Sequence, residues 1–135
     1  MQKLLHLEFI PRSVDTALLV LRVWLGASMI ALHGWGKLMN LFSGNVRFPD
    51  IFGIGSVPTV MLAILAEVVA AAFVVLGLWT RFAALLLVIT MSVAFFMAHG
   101  AKLSGQGNGE LAFVYLAGFV TLMLAGAGKF SIDKK

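Results

Sequence analysis

Residues 57–79 read VPTVMLAILAEVVAAAFVVLGLW, and Glu67 is the one charged side chain among them. At ~1.5 Å per residue a helix of this length spans roughly 35 Å, which is enough to cross the ~30 Å hydrocarbon core of a bilayer. The stretch therefore predicts a transmembrane helix. Its small residues Ala63, Ala66 and Ala70 recur at spacings of three and four, which predicts a close contact with another helix.

Three further apolar stretches, 16–38, 82–99 and 110–128, are long enough to span a membrane as helices. The chain of 135 residues is 61% hydrophobic and 12% charged, and its mean hydropathy is +1.00. A soluble domain of this size has too large a surface to be covered by so few polar side chains. The sequence predicts an all-α fold, an integral membrane four-helix bundle formed by a single domain over residues 1–135.

Charge and cysteine content exclude several classes of function. The net charge is +4, but the basic residues occur singly and form no stripe of the kind that binds nucleic acid. The chain contains no cysteine, which excludes disulfide exchange, a thiolate nucleophile and iron–sulfur ligation. We expect no intrinsic cofactor, and the expected surroundings are a lipid bilayer.

Basic residues in the short connections predict the orientation of the bundle. With four spans, both termini and the connection near residue 80 lie on one side, which carries six basic residues against three on the other. The positive-inside rule therefore predicts that Met1 and Lys135 are cytoplasmic. Residues 39–56 lie on the opposite side and are too apolar for a solvated linker, so we expect them to fold over the end of the bundle or to enter the interface.

A polar stripe runs along the first span. At 100° per residue, one face about 80° wide carries Arg22, Gly26, Met29, His33 and Lys37. An ionisable group costs ~2.5 to 3.5 kcal/mol at the bilayer centre, so this stripe should face the bundle interior or a watery cavity. The alternative for Arg22 and Lys37, which lie near the two ends of the span, is that their long side chains reach the headgroup regions.

Glu67 is the most informative charged residue because it lies near the midplane, about 18 Å from the predicted cytoplasmic end. His33 lies at about 25 Å on the same scale, and the two side chains lean toward each other because each points toward the N-terminus of its own helix. We therefore prefer His33 as the partner of Glu67. Arg22, at roughly 9 Å, is the second candidate. A protonated Glu67 that only bridges two helices is the structural alternative.

His99 and Glu110 lie at the ends of their spans, where each is also explained by a favourable interaction with the helix dipole. Together with Lys37 they gather in the same outer half as the His33–Glu67 pair, and this predicts a site with proton-exchanging and charge-stabilising groups. We assign the catalytic role to His33 and Glu67, and ligand binding to Arg22, Lys37, His99 and Glu110. Ligation of a metal ion is disfavoured because no two candidate ligands are three or four residues apart. A haem held between His33 and His99, which lie at equal height, is conceivable but is a minor alternative.

The order and spacing of several short motifs resemble the DoxX family of small four-helix bacterial membrane proteins, from about residue 18 to residue 133. The motifs are Arg22 in the first span, HGWGKL at 33–38, Glu67, LGLWTRF at 76–82, His99, NGE at 108–110 and GAGKFSID at 126–133.

This resemblance implies a component of the bacterial cytoplasmic (inner) membrane that is linked to redox chemistry. Relatives include the membrane subunit of a thiosulfate:quinone oxidoreductase, proteins induced by quinone and catechol stress, and a partner in a mycobacterial oxidative-stress complex. Our leading hypothesis is a redox-associated membrane subunit that binds a quinone or a similar small aromatic molecule and acts with an electron-carrying redox protein partner. If it takes part in catalysis, it does so as a component of an oxidoreductase and not as a self-sufficient enzyme.

The alternative is a non-catalytic membrane scaffold or assembly factor, or a small-solute carrier, whose buried charges only specify how the helices pair. The identity of the ligand and the oligomeric state, a homo-oligomer included, are left open by the sequence.

Overall fold

A computed structural model describes residues 1–134. This part of the chain contains helices and no strands, which confirms the all-α fold class. The helices are α1 (Gln2–Leu5), α2 (Val14–Phe42), α3 (Ser56–Leu76), α4 (Thr80–Ala98) and α5 (Glu110–Ala125).

Helices α2, α3 and α4 are each long and apolar enough to cross a membrane. The fourth helix of the bundle, α5, has 16 residues and is therefore ~24 Å long. Large apolar side chains such as Trp24 and Leu124 are exposed on the outside of the bundle, where they would contact lipid. These features confirm a helical membrane bundle.

Several helix ends differ from the predicted spans. Helix α3 ends at Leu76 because Gly77 adopts φ +70°, a left-handed conformation that favours glycine. The connection to α4 therefore consists of residues 77–79, whereas the sequence was interpreted as leaving only Thr80-Arg81 between the two spans. Helix α2 continues beyond residue 38 to Phe42, so that the following loop is shortened to residues 43–55.

The helices pack in the order of the chain. Helix α2 packs against α3, α3 against α4, and α4 against α5. Ala66 and Ala70 are buried, as their spacing predicted, whereas Ala63, the third residue of this pattern, is only half-buried. Gly26 allows α2 to approach α3 closely, because a Cβ atom there would lie 2.5 Å from Cγ2 of Val75 and 2.8 Å from the carbonyl oxygen of Ala71.

The C-terminal tail closes one end of the bundle, which we call the terminal end. The carboxylate of Asp133 accepts hydrogen bonds from the backbone N–H groups of Trp79 (2.8 Å) and Thr80 (2.9 Å) at the start of α4. The backbone N–H of Lys129 donates to Asp15 at 2.9 Å. The tail thus ties the starts of α2 and α4 together. The opposite end carries residues 43–55 and 99–109, and we call it the loop end.

Candidate functional site

A cavity of about 740 Å³ lies in the half of the bundle toward the loop end. Helices α2 to α5 and the loop at residues 43–55 all contribute to its wall. Four of the six predicted site residues line it: His33, Lys37, Glu67 and His99. The rest of the wall is mostly apolar, so that these four groups lie in surroundings where their electrostatic interactions are strong.

The central polar contact of the cavity is an ion pair between Lys37 and Glu67. The Lys37 Nζ atom lies 2.5 Å from Oε2 of Glu67, and the two side chains are 23% and 8% exposed. His33, the partner preferred from the sequence, was therefore the wrong prediction for Glu67. The heights of the α-carbons favour His33, but the long side chain of Lys37 leans back toward the N-terminus of α2 and reaches the carboxylate.

A π-helical segment occurs beside the cavity in each of three helices. These segments are Ile30–Gly34 in α2, Leu65–Ala70 in α3 and Ala94–Ala98 in α4. The first contains His33, the second contains Glu67, and the third ends immediately before His99. π-Helical turns are rare in proteins overall, but those that occur are often found at functional sites. The extra residue in the turn changes the direction of the side chains around it.

Gly34 brings two of these π segments together. A Cβ atom on this residue would lie 2.6 Å from Cγ2 of Val68 and 2.9 Å from the carbonyl oxygen of Glu67. Contacts this short are not possible for a residue with a Cβ, so the glycine permits the backbones of α2 and α3 to meet here. Lys37 follows Gly34 by three residues, about one helical turn, and this places its stem beside Glu67.

A second polar group in the wall, Tyr115, connects α5 to α2. Its hydroxyl donates to Oγ of Ser28 at 2.8 Å, and the Ser28 hydroxyl donates to the carbonyl oxygen of Leu25 at 3.1 Å. The rings of Tyr115 and His33 meet edge to face, with centroids 5.5 Å apart and an interplanar angle of 89°. Tyr115 was not among the predicted site residues, although it is the single tyrosine of the chain and lies in an apolar span.

His99 reaches the cavity from the loop end. Its Nδ1 atom lies 3.0 Å from the carbonyl oxygen of Gly107, which fixes the orientation of the ring. Glu110 begins α5 only eleven residues later, but its side chain is exposed and does not belong to the cavity wall. Its backbone N–H donates to Oδ1 of Asn108 at 3.0 Å, which forms a turn immediately before the helix.

Arg22 lies at the terminal end, away from the cavity. Its side chain is 1% exposed, and it donates from Nη1 to the carbonyl oxygen of Val75 at 2.8 Å and from Nη2 to the carbonyl oxygen of Phe130. The polar stripe predicted for the first span therefore divides into two environments. The structure does not bring Arg22 to Glu67, because the tail that binds the guanidinium folds back over the terminal end.

The loop at residues 43–55 covers the cavity with apolar side chains, as its composition led us to expect. Phe48, Pro49, Ile51 and Phe52 line the wall, and Nζ of Lys37 lies 5.8 Å from the centroid of the Phe48 ring. Asp50 stabilises the loop, since its carboxylate accepts the backbone N–H groups of Ile54 (3.0 Å) and Gly55 (2.9 Å). The loop is thus a structured cover over the polar groups.

Residues 17–100 match the sequence model of the DoxX family. The chain belongs to the DoxX family. A protein of Haemophilus influenzae, described only as uncharacterized, is 33% identical to this DoxX protein over 121 residues, which cover 81% of this chain and 83% of the relative. No solved structure matches the chain. The family is associated with redox and stress roles at membranes, and together with the apolar helices it makes this DoxX protein a multi-pass membrane protein.

The chemistry available in the cavity is that of proton exchange and hydrogen bonding. The ammonium of Lys37 and the carboxylate of Glu67 form an ion pair, and two imidazoles and one phenol line the same cavity. Within residues 1–134, no three histidine, aspartate or glutamate side chains are grouped as ligands for a metal ion. The arrangement suits a neutral organic ligand that offers oxygen atoms to the Lys37–Glu67 pair.

Proposed function

We propose that this DoxX protein is a redox-associated membrane subunit that binds a quinone or a similar small aromatic molecule in the cavity. It acts with an electron-carrying protein partner under oxidative or quinone stress, in a bacterial inner membrane with both termini cytoplasmic. The observation that carries the proposal is the Lys37–Glu67 ion pair in an apolar cavity of about 740 Å³. This volume falls within the ~300–1,000 Å³ that small-molecule sites occupy.

The proposed contacts follow from hydrogen-bonding capacity. The Lys37 ammonium donates to a carbonyl oxygen of the oxidised ring, and the Glu67 carboxylate accepts from a hydroxyl of the reduced ring. His33 and His99 exchange the protons, because an imidazole ring has one nitrogen that can donate a proton and one that can accept it. Reduction of a quinone to a hydroquinone takes two electrons and two protons, so the site handles the protons while the partner supplies the electrons.

Identification of the bound molecule tests this proposal. The protein is extracted in a mild detergent, and the small molecules retained with it are identified by mass spectrometry. In the test variant, Lys37→Met and Glu67→Gln are combined, which removes both charges of the ion pair together. The matched control combines Lys102→Met with Glu110→Gln, a cation and a carboxylate that are exposed at the same end of the bundle.

A quinone that is retained by the parent and the control but lost from the test variant supports the proposal. Equal loss of the quinone from both double variants would indicate that Glu110 contacts the ligand. An empty cavity in a protein that stays associated with other membrane proteins would favour the scaffold or assembly role. Accumulation of a solute in vesicles that contain the protein would favour a carrier.

A further inference from the structure

The cavity has an apolar opening on the side of the bundle. Helix α4 packs against residues 65–76 of α3 but makes little contact with Ser56–Ile64, so the two helices separate toward the loop end. Where this separation begins, the cavity is lined by Leu65 on α3 and Ile89 on α4, and Leu62 follows one helical turn further toward the loop end. All three are about half exposed. They therefore belong both to the wall of the cavity and to the outer surface of the bundle.

The surface that contains this opening is the one that faces lipid. Exposed leucine and isoleucine side chains on a membrane-spanning helix contact acyl chains, because the hydrocarbon core holds no water. At the loop end, by contrast, the cover that includes Phe48 and Phe52 lies over the polar groups. The cavity is thus open to the lipid phase through apolar side chains and covered on the aqueous side.

The distribution of polar groups in the cavity has a direction. Lys37 and Glu67 form the polar centre, and the wall that includes Leu65 and Ile89 is mostly apolar. The hydroxyl of Thr90, which also lines the cavity, donates to the carbonyl oxygen of Leu86 at 2.8 Å within its own helix. A ligand with one polar head and one apolar tail matches this gradient: the head meets the ion pair and the tail extends between α3 and α4. A tail that leaves the cavity in this direction stays in apolar surroundings along its whole length.

We infer that the cavity takes a membrane-dissolved amphiphile from the lipid phase, with its ring at Lys37 and Glu67 and its apolar tail in the gap between α3 and α4. This inference rests on the proposed function, and it specifies the ligand as a quinone with a long apolar tail. It assigns Leu62, Leu65 and Ile89 as residues that determine specificity for the tail. A water-soluble aromatic of the same head group lacks those contacts.

The experiment compares two probes in nanodiscs of fixed lipid composition: a dimethoxy-methyl-benzoquinone with an isoprenoid tail, and the same ring without the tail. Equilibrium binding is measured for the parent chain, for Leu65→Trp and for Leu76→Trp. Leu65 and Leu76 lie on the same helix and are equally exposed, at 53% each, but Leu76 does not line the cavity. The pair therefore separates filling of the gap from the general effect of a large side chain on the lipid-facing surface.

We expect the tailed quinone to bind the parent more tightly than the ring alone, and Leu65→Trp to weaken the tailed probe by about tenfold. The affinity of the ring alone should stay within about twofold in both variants, because the ring binds at Lys37 and Glu67 and does not occupy the gap between α3 and α4. Equal affinity of the parent for both probes, or equal weakening of both by Leu65→Trp, would overturn the placement of the tail and leave the quinone site standing. Failure of the parent to bind either probe would overturn the proposed function as well.

Discussion

Replacement of the Lys37–Glu67 pair one partner at a time gives a quantitative test of the site. The change Lys37→Met removes the ammonium and leaves a carboxylate that is 8% exposed. An unpaired buried charge costs about 3–5 kcal/mol in the free energy of unfolding, and we expect about 3 kcal/mol here. The change Glu67→Gln leaves the ammonium, which is 23% exposed and can turn toward the loop end on its flexible stem, so we expect about 1–2 kcal/mol.

The double variant should be more stable than the sum of the single effects implies. With both charges removed, no unpaired ion is left in the cavity, and the expected loss is about 1–2 kcal/mol. The coupling free energy between the two positions is then at least about 2 kcal/mol. The measurement is reversible unfolding in mixed detergent micelles, followed by far-ultraviolet circular dichroism, for the parent, the two single variants and the double variant.

A cycle between His33→Gln and Glu67→Gln serves as the comparison. The ring of His33 packs against Tyr115, so its coupling with Glu67 should be smaller than that of Lys37. A coupling between Lys37 and Glu67 below about 0.5 kcal/mol, the value expected of independent positions, would refute their assignment as a direct ion pair. A larger coupling for His33 than for Lys37 would also refute it, because it would identify His33 as the true partner of the carboxylate.

Three further predictions concern other parts of the bundle. Gly34→Ala should lower the free energy of unfolding by about 1–3 kcal/mol because a Cβ there meets the backbone of α3, whereas Gly36→Ala, with nothing within 4 Å of its Cβ, should be neutral or slightly stabilising in the same assay. Arg22→Lys keeps the charge but loses the forked contact with two carbonyl groups, so we expect it to lower the free energy of unfolding. The loss should be smaller in a chain truncated before Lys129, because the truncation already removes the contact with Phe130. Strict additivity of the two losses would contradict this. A cysteine introduced at the exposed Asn45 should be labelled by a membrane-impermeant reagent added to intact cells, and labelling only after the inner face is opened would reverse the proposed topology.

The positions of α2, α3 and α4 could be predicted from the sequence because each is an apolar stretch of membrane-spanning length. The fourth predicted span, 110–128, is an apolar helix of only 16 residues, Glu110–Ala125. The ends were less predictable. Helix α3 was expected to run to Trp79, yet it stops at Leu76, because the left-handed conformation of Gly77 and the hydrogen bonds from Asp133 fix the turn. Those bonds join residues more than 50 positions apart in the chain, and a local pattern holds no information about them.

The candidate site was predictable as a set of residue types and not as a set of contacts. His33, Lys37, Glu67 and His99 were identified because ionisable groups are costly in a membrane span. Their arrangement depended on three π-helical segments, which change the register of side chains that a regular helix predicts. Tyr115 was missed because its role depends on the contact with Ser28 on another helix.

The sequence by itself determined that the chain is an α-helical membrane protein, because the length of an apolar segment is a local property that can be compared directly with the thickness of the hydrocarbon core. It also determined which residues had to avoid lipid. Only the tertiary structure decided which partners those residues have. Lys37 pairs with Glu67 in the cavity, whereas Arg22, on the same face of the same helix, binds the C-terminal tail at the opposite end of the bundle. A buried charge needs a partner at hydrogen-bonding distance, and which partner is close enough depends on how the helices approach each other, as they do at Gly26 and Gly34.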